Sequence, residues 1–335
     1  VTILTLTAPP AADLAEALDR FERQFVYPLG PGRTFRISHG RDYLPFFQAM
    51  GDARVLVATQ HGAVLGTLAI VTRRLLAEGG TTSPAPDQPA DRPVHYLCDL
   101  KVSPESRGGV VLAALFRQAG QIVRASGTHA CYAVVMEGTG RLPVEYTGRL
   151  GVPPFEQVGR IVVLRLTPRA GGLSSADLRS VDEHEFTALR QQAVSMSPPG
   201  VAIFPRDALK SGSSLRSRLA PLRWCNETRS AGGVVEDTLL GKRLLVGDSD
   251  ELVSAHLSRF WWQPGRGAEG ARFLESVAIR MAEQGYPAVF AAIPEDCLAE
   301  LRPHLEQVDC IEAPARVYGY QVPDNADWWI DTAEI

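Results

Sequence analysis

Two apolar strands joined by a glycine turn and one amphipathic helix, residues 96–136, constrain this chain more than any other part of it. Tyr96-Leu97-Cys98-Asp99-Leu100-Lys101-Val102 is dense enough in apolar residues to be a strand buried on both faces. Pro104 has no N–H to give a ladder and ends it. Beyond Arg107-Gly108-Gly109 and Val110, the residues Val111, Leu112, Leu115, Phe116, Ala119, Ile122 and Val123 fall on one helical face, with Arg117, Gln118, Gln121 and Arg124 opposite. Gly127 stands where a helix end favours a left-handed residue. The uncharged residues 130–136 read as a second internal strand. Such a turn aims several backbone N–H groups at one place, on the positive end of a helix dipole, which suits a phosphate-bearing ligand.

The flanking segments extend this unit into a layer. Residues 1–7 read as an opening strand, 11–25 as a helix through Leu14, Leu18, Phe21 and Phe25, and 43–50 as a second short helix. Residues 54–59 and 64–74 form a hairpin around a connector with Gly62. Residues 78–93 carry Pro84, Pro86, Pro89 and Pro93 without periodicity, so they are either a hairpin tip or a flap over a cleft. A short helix or turn over 140–150 and a strand over 159–166 follow.

At this point the residues resemble a family. Leu100-Lys101-Val102-Ser103-Pro104 followed by Arg107-Gly108 is similar to the strand end and glycine turn of the GNAT superfamily of N-acetyltransferases, and the resemblance runs over residues 34–166. That pattern continues with small residues where Val110 and Leu112 stand here. The resemblance implies a pantetheine thioester lying along Leu100, Lys101 and Val102. Its phosphates would face the N–H groups of Arg107, Gly108, Gly109, Val110, Val111 and Leu112. The implied donor is acetyl-CoA or another pantetheine thioester, carried as acyl-CoA or by an acyl carrier protein, and the acceptor is a small-molecule amine.

In that chemistry Asp99 is the candidate base, with a carboxyl pKa raised by apolar neighbours, and Tyr146 the candidate acid for the departing thiolate. Each has a plainer alternative. Asp99 would hold a turn or pair with an arginine, Tyr146 would pack its short helix, and Lys101 would be a solvated edge residue.

Residues 167–176 are a Gly/Ser-rich linker. The second half then repeats the order of the first: a helix over 181–196, a proline-containing loop over 195–205, strands over 224–229, 233–246 and 252–262, a glycine turn, a helix over 268–283, a strand over 288–293, a short helix over 296–305 and a strand over 317–322. Glu269 stands where a phosphate would sit, so this copy is expected to be inactive and to wall the acceptor cleft. Trp328-Trp329 either pack between domains or form a small exposed patch. The fold class expected is α/β (α+β), with two acyl-CoA N-acyltransferase-like domains, each a mixed, mostly antiparallel sheet flanked by helices. Their bounds are residues 1–168 and 181–335, with 169–180 between them.

Length and charge are compatible with this. The 335 residues suffice for two domains, and a net charge of −4 gives no global pull toward nucleic acid or anionic membrane. No apolar run approaches the ~18 residues of a membrane span. Val1 to Leu6 does not resemble a signal peptide. Five cysteines without a C-x-x-C pair argue for a reducing cytoplasm and no metal site. Arg206, Lys210, Arg216, Arg218, Arg223 and Arg229 are a local basic run, either a solvated face or a site for an acyl carrier protein or aminoacyl-tRNA in an amide-forming transferase. A non-catalytic, ligand-sensing pseudo-acyltransferase is the remaining reading.

Overall fold

A computed structural model describes residues 1–28, 34–78, 91–106, 109–138, 141–149, 151–169, 178–197, 200–205, 213–247, 250–324 and 326–335. The first half runs β1 (Thr2–Leu6), α1 (Ala12–Glu22), β2 (Tyr27–Pro28), β3 (Thr34–Ser38), α2 (Pro45–Met50), β4 (Asp52–Gln60), β5 (Ala63–Glu78), β6 (Asp91–Val102), α3 (Val110–Ala125), β7 (Cys131–Met136), α4 (Pro143–Tyr146) and β8 (Glu156–Pro168). The second runs β9 (Leu178–Ser180), α5 (Glu183–Ser195), β10 (Gly200–Pro205), α6 (Ser213–Arg216), β11 (Leu222–Asn226), β12 (Ala231–Glu236), β13 (Arg243–Val246), β14 (Asp250–Glu251), β15 (Ala255–Trp262), α7 (Gly267–Glu283), β16 (Val289–Pro294), α8 (Glu295–Leu301), β17 (Val308–Tyr320) and β18 (Asp327–Trp329).

One sheet of 14 strands unites both halves, in the order β1-β4-β5-β6-β7-β17-β8-β16-β15-β12-β11-β9, with β10 on β5 and β18 on β10. It is antiparallel except at β6–β7, β15–β16 and β10–β18. The hairpin β4–β5 turns on His61 and Gly62, both at positive φ (50° and 79°), as a two-residue loop that follows the strand twist requires. Helix α3 buries Val111, Leu115, Phe116, Ala119 and Val123 against Leu56, Leu68, Ile70 and Leu97, and Gly127 ends it at φ 77°. On the other face α1 and α2 cover Val55, Val57, Ala69, Val71 and Tyr96.

The halves repeat one pattern. The antiparallel set β4-β5-β6 leads through α3 to a parallel strand β7, and β11-β12-β15 leads through α7 to a parallel strand β16. The closing strand of each half then leaves its own set. β17 pairs with β7 over Cys131–Tyr320 to Met136–Ala315, and β8 pairs with β16. β8 and β17 pair with each other between them. Trp328 is fully buried at this join, against Tyr132 and with its indole N–H donating to the Val158 carbonyl at 3.2 Å.

Several elements differ from their sequence expectation. Residues 200–205 are not loop but β10, pairing with β5. The single strand expected over 233–246 is two strands, because the chain turns between Asp237 and Lys242, and β13 joins β3 in a second, four-stranded sheet. β17 begins nine residues earlier than its apolar pattern suggests, at Val308 rather than 317. Pro314 within it lies just past the last β7 pair, Ala315–Met136; it accepts the Glu137 N–H at 2.9 Å but has none to return, and the ladder with β7 ends there. Of the flap expected over 78–93 and the linker expected up to residue 180, residues 79–90 and 170–177 lie outside the described residues, while β5 reaches Glu78, β6 begins at Asp91, β8 runs to Pro168 and Leu178–Ser180 is the strand β9.

Candidate functional site

A bulge near the end of β6 organises the site. Cys98 pairs with Ala69 and Lys101 with Thr67, so Asp99 and Leu100 together oppose Leu68 alone. Asp99 takes φ 52°, and its carbonyl accepts from Thr67 Oγ1 at 3.0 Å. One extra residue resets the alternation of side chains. Leu97, Leu100 and Val102 pack on the α3 face, while Cys98 packs on the opposite face. The Asp99 and Lys101 side chains turn toward α1, as their partners show.

Those partners form a buried charged cluster. Lys101 Nζ contacts Asp99 Oδ1 and lies 3.4 Å from Glu22 Oε1. Glu22 receives the His39 backbone N–H at 3.0 Å, and its Oε1 lies 2.6 Å from His39 Nδ1. Tyr43 OH donates to Asp99 Oδ2 at 2.8 Å. The His39 ring stacks on Phe47. None of these side chains is more than 9% exposed. Burial pushes the Asp99 carboxyl up, but the Lys101 ammonium, His39 and the hydrogen bonds from Lys101 and Tyr43 outweigh it and hold it below the usual range. The expectation of a raised Asp99 pKa is therefore corrected, and with it the picture of Asp99 as a ready base. Nor is Lys101 a solvated edge residue. Burial pushes its ammonium down, but Asp99 and Glu22 prevail and hold it charged. Glu22, His39 and Asp99 bring metal-ligating atoms within 4.8 Å of one another, but Lys101 already lies against both carboxylates.

A second lysine reaches this face from the other half. Lys242, 7% exposed, lies 4.7 Å from the Phe46 ring centroid and hydrogen-bonds the Ile335 main-chain oxygen. Burial lowers it to about 8; Asp99 opposes the shift, while Arg216 and Lys101 add to it. Beyond it, Arg216 pairs with Glu236 at 2.9 Å and Arg73 with Glu334 at 2.7 Å, both deep in the interior.

On the α3 face the strand end opens. The β6–β7 ladder consists of His95–Cys131 and Tyr96–Tyr132, after which β6 runs on to Val102 and β7 to Met136 without pairing to each other. Gly66 lets this end pack closely, since a Cβ there would lie 2.9 Å from both the Lys101 carbonyl oxygen and Val111 Cγ1. Gly109, at φ 92°, caps α3 with no side-chain bond, so the first N–H groups of the helix lack an internal partner. Val110 points into solvent, 68% exposed, Val111 is buried and Leu112 half-buried. Arg107 and Gly108 lie outside the described residues. Tyr146 packs on Phe116 with ring centroids 5.7 Å apart, in the same apolar cluster as Leu100, Val102 and Leu112. Burial, then Glu145 and Tyr318, push its phenol up to about 12.

Leu100, Val102, Val111, Leu112 and Tyr146 thus gather on one face at the β6 end, with Asp99 and the Lys101 side chain on the other. Sequence reasoning missed Glu22, His39, Tyr43 and Lys242, and no local pattern marks them. Three described arginines of the basic run are held by carboxylates. Arg216 is buried with Glu236, Arg223 contacts Glu183 and Arg229 pairs with Glu185. No helix among the described residues is long and apolar enough to cross a membrane.

The sequence matches no family model, and no curated protein resembles it significantly. Solved structures do resemble it. Saccharomyces cerevisiae N-myristoyltransferase with bound myristoyl-CoA and inhibitors superposes with a TM-score of 0.60 at 9% identity, over 96% of this chain and 81% of that one. The same enzyme with myristoyl-CoA gives 0.59 at 9% identity, over 95% and 82%. A probable N-acyltransferase from Enterococcus faecalis V583 gives 0.50 at 6% identity, over 95% and 72%. At such identities the likeness is one of fold. The chain has the mixed, mostly antiparallel acyl-CoA N-acyltransferase-like fold.

Proposed function

We propose that this chain is an N-acyltransferase that moves an acyl group, acetyl by default, from a pantetheine thioester to an amine by direct attack. One observation carries the reading: β6 continues through its bulge to Val102 after its ladder with β7 has ended. A strand edge left open in this way takes an extended ligand segment through main-chain hydrogen bonds. A pantetheine arm, with its two amides, is such a segment. In this reading Leu100, Lys101 and Val102 bond the arm, and Gly109, Val110, Val111 and Leu112 offer N–H groups to the phosphates, joined by Arg107 and Gly108. Residues 1–168 carry the donor, and residues 181–335 wall the acceptor.

The amine nitrogen attacks the thioester carbonyl, forming C–N and breaking C–S. The Leu100 N–H stabilises the intermediate oxyanion. Tyr146, protonated at neutral pH, returns a proton to the thiolate. The acceptor must also lose one. Asp99, ionised and paired, is poorly suited to take it. Lys242, which burial holds neutral above about pH 8, is better suited.

Native mass spectrometry with coenzyme A, acetyl-CoA and myristoyl-CoA, followed by thiol release in the presence of an amine panel, tests the proposal. A retained coenzyme A compound and amine-dependent thiol release are expected. Retention of none, with no thiol released, would overturn it.

A further inference from the structure

The second half repeats the bulge and the open wedge of the first, and there the wedge is a cavity. In β15, Arg259 and Phe260 together oppose Gly233, and Arg259 takes φ 53°. The β15–β16 ladder ends at Leu257–Ala291, while β15 runs on to Trp262 and β16 to Pro294. A cavity of about 240 Å³ occupies the opening, lined among others by Phe260, Trp262, Trp329, Asp296, Glu300 and Asp327. Because β7, β17, β8 and β16 alternate in direction, this wedge opens at the opposite end of the sheet from the β6–β7 wedge. The three strand spacings from β7 to β16 amount to roughly 15 Å.

Its chemistry differs from that of the first wedge. A Cβ on Gly267 would lie 2.3 Å from the Glu300 carbonyl oxygen, so the start of α7 is packed shut against α8. Glu269 stands in the first turn of α7. Phosphates would meet carboxylates here rather than free N–H groups. The aromatic wall is continuous, with Phe260 5.2 Å and Trp329 5.7 Å from the Trp262 ring. Trp262 Nε1 donates to Glu300 Oε2 at 3.0 Å, while Glu300 Oε1 is buried with no hydrogen-bond partner among the described residues. Asp327 accepts the Cys297 thiol at 3.4 Å, and burial pushes its carboxyl above the usual range. Arg190 is the one basic side chain in the lining among the described residues, and its charge acts on the buried Asp331 carboxyl. Aromatic faces and carboxylates together are the surroundings that stabilise an organic cation.

We propose that this wedge is a binding site for an organic ammonium group, separate from the donor wedge and independent of the acyl-transfer reading. The ammonium contacts the free oxygen of Glu300 and the Asp327 carboxylate, and its carbon chain lies on Trp262 and Trp329.

Three of the five tryptophans line the cavity, so their fluorescence reports on its filling. The full chain is titrated with n-butylammonium chloride, n-butanol and sodium butyrate at constant ionic strength. The ammonium is expected to give a saturable change that neither isostere gives at the same concentration. Glu300→Gln with Asp327→Asn is expected to weaken it at least tenfold, and Asp296→Asn, at an exposed position, by a smaller factor. Equal responses to butanol and butylammonium, or no saturable response to butylammonium, overturn the proposal in the unaltered protein whether or not the variants fold. Undiminished binding in a folded double variant overturns it as well.

Discussion

Asp99 and Arg259 occupy the same place in the two halves, each as the left-handed residue of a bulge (φ 52° and 53°) before an opening parallel strand pair. Their charges are opposite, and so are their partners. Asp99 meets Lys101 and Tyr43, whereas Arg259 meets Glu183 at 3.1 Å, stacks over Phe186 and donates its backbone N–H to Asp331 at 2.7 Å. Both are non-glycine residues in a region that costs of order 1 kcal/mol or more, and the packing around each one holds it there. The repeated geometry surrounds two differently charged sites.

Asp99→Asn is expected to destabilise the fold by about 3 kcal/mol, because it leaves the buried Lys101 ammonium with Glu22 alone. Adding Lys101→Met should cost less than the sum of the single changes. Urea unfolding of the four proteins measures the coupling, and additivity within about 0.5 kcal/mol would mean the pair is not interacting.

Gly109→Glu is expected to weaken coenzyme A binding at least tenfold relative to Gly109→Lys. Both changes strain the same positive φ, and a Cβ there meets no atom within 4 Å, so the comparison isolates charge at the α3 N-terminus. Isothermal titration decides it, and equal affinities would remove the phosphates from this helix end.

Tyr146→Phe is expected to lower thiol release roughly 100-fold while leaving donor affinity unchanged. Single-turnover kinetics separates the two. An unchanged rate would make Tyr146 a packing residue on Phe116 and nothing more.

The folded pKa of Lys242, about 8, lies below its ordinary 10.5, so the unfolded chain binds more protons between those values. Stability should therefore rise with pH across that window, by an amount on the order of 2 to 3 kcal/mol from this group. Lys242→Met should remove that rise. Melting temperatures of both proteins from pH 7.5 to 10.5 would show it, and parallel curves would contradict it.

What could be read in advance follows the range of the forces involved. The β6–α3–β7 unit was legible because its periodicity and its punctuation by Pro104 and Gly127 are local. β10 was not, since its partner β5 is more than a hundred residues distant and Pro198 and Pro199 precede it. The Glu22–His39–Asp99–Lys101 cluster was hidden for a different reason. A single bulge moves side chains to the other face of a strand, and nothing in Cys98-Asp99-Leu100-Lys101 announces it. Lys242 sits in what reads as an ordinary strand interior, and the groups it meets, Phe46 and Ile335, are distant in the chain.

The exchange of β8 and β17 has a consequence for the order of assembly. As the chain emerges from the ribosome, β7 is complete at Met136, yet the strand that covers its edge spans Val308–Tyr320. Until then that edge presents unpaired backbone groups, the kind of surface through which nascent chains join one another. Closure over so long a separation makes for slow folding. A truncation after residue 168 is expected to aggregate rather than fold, and adding back a segment that carries β17 should relieve it.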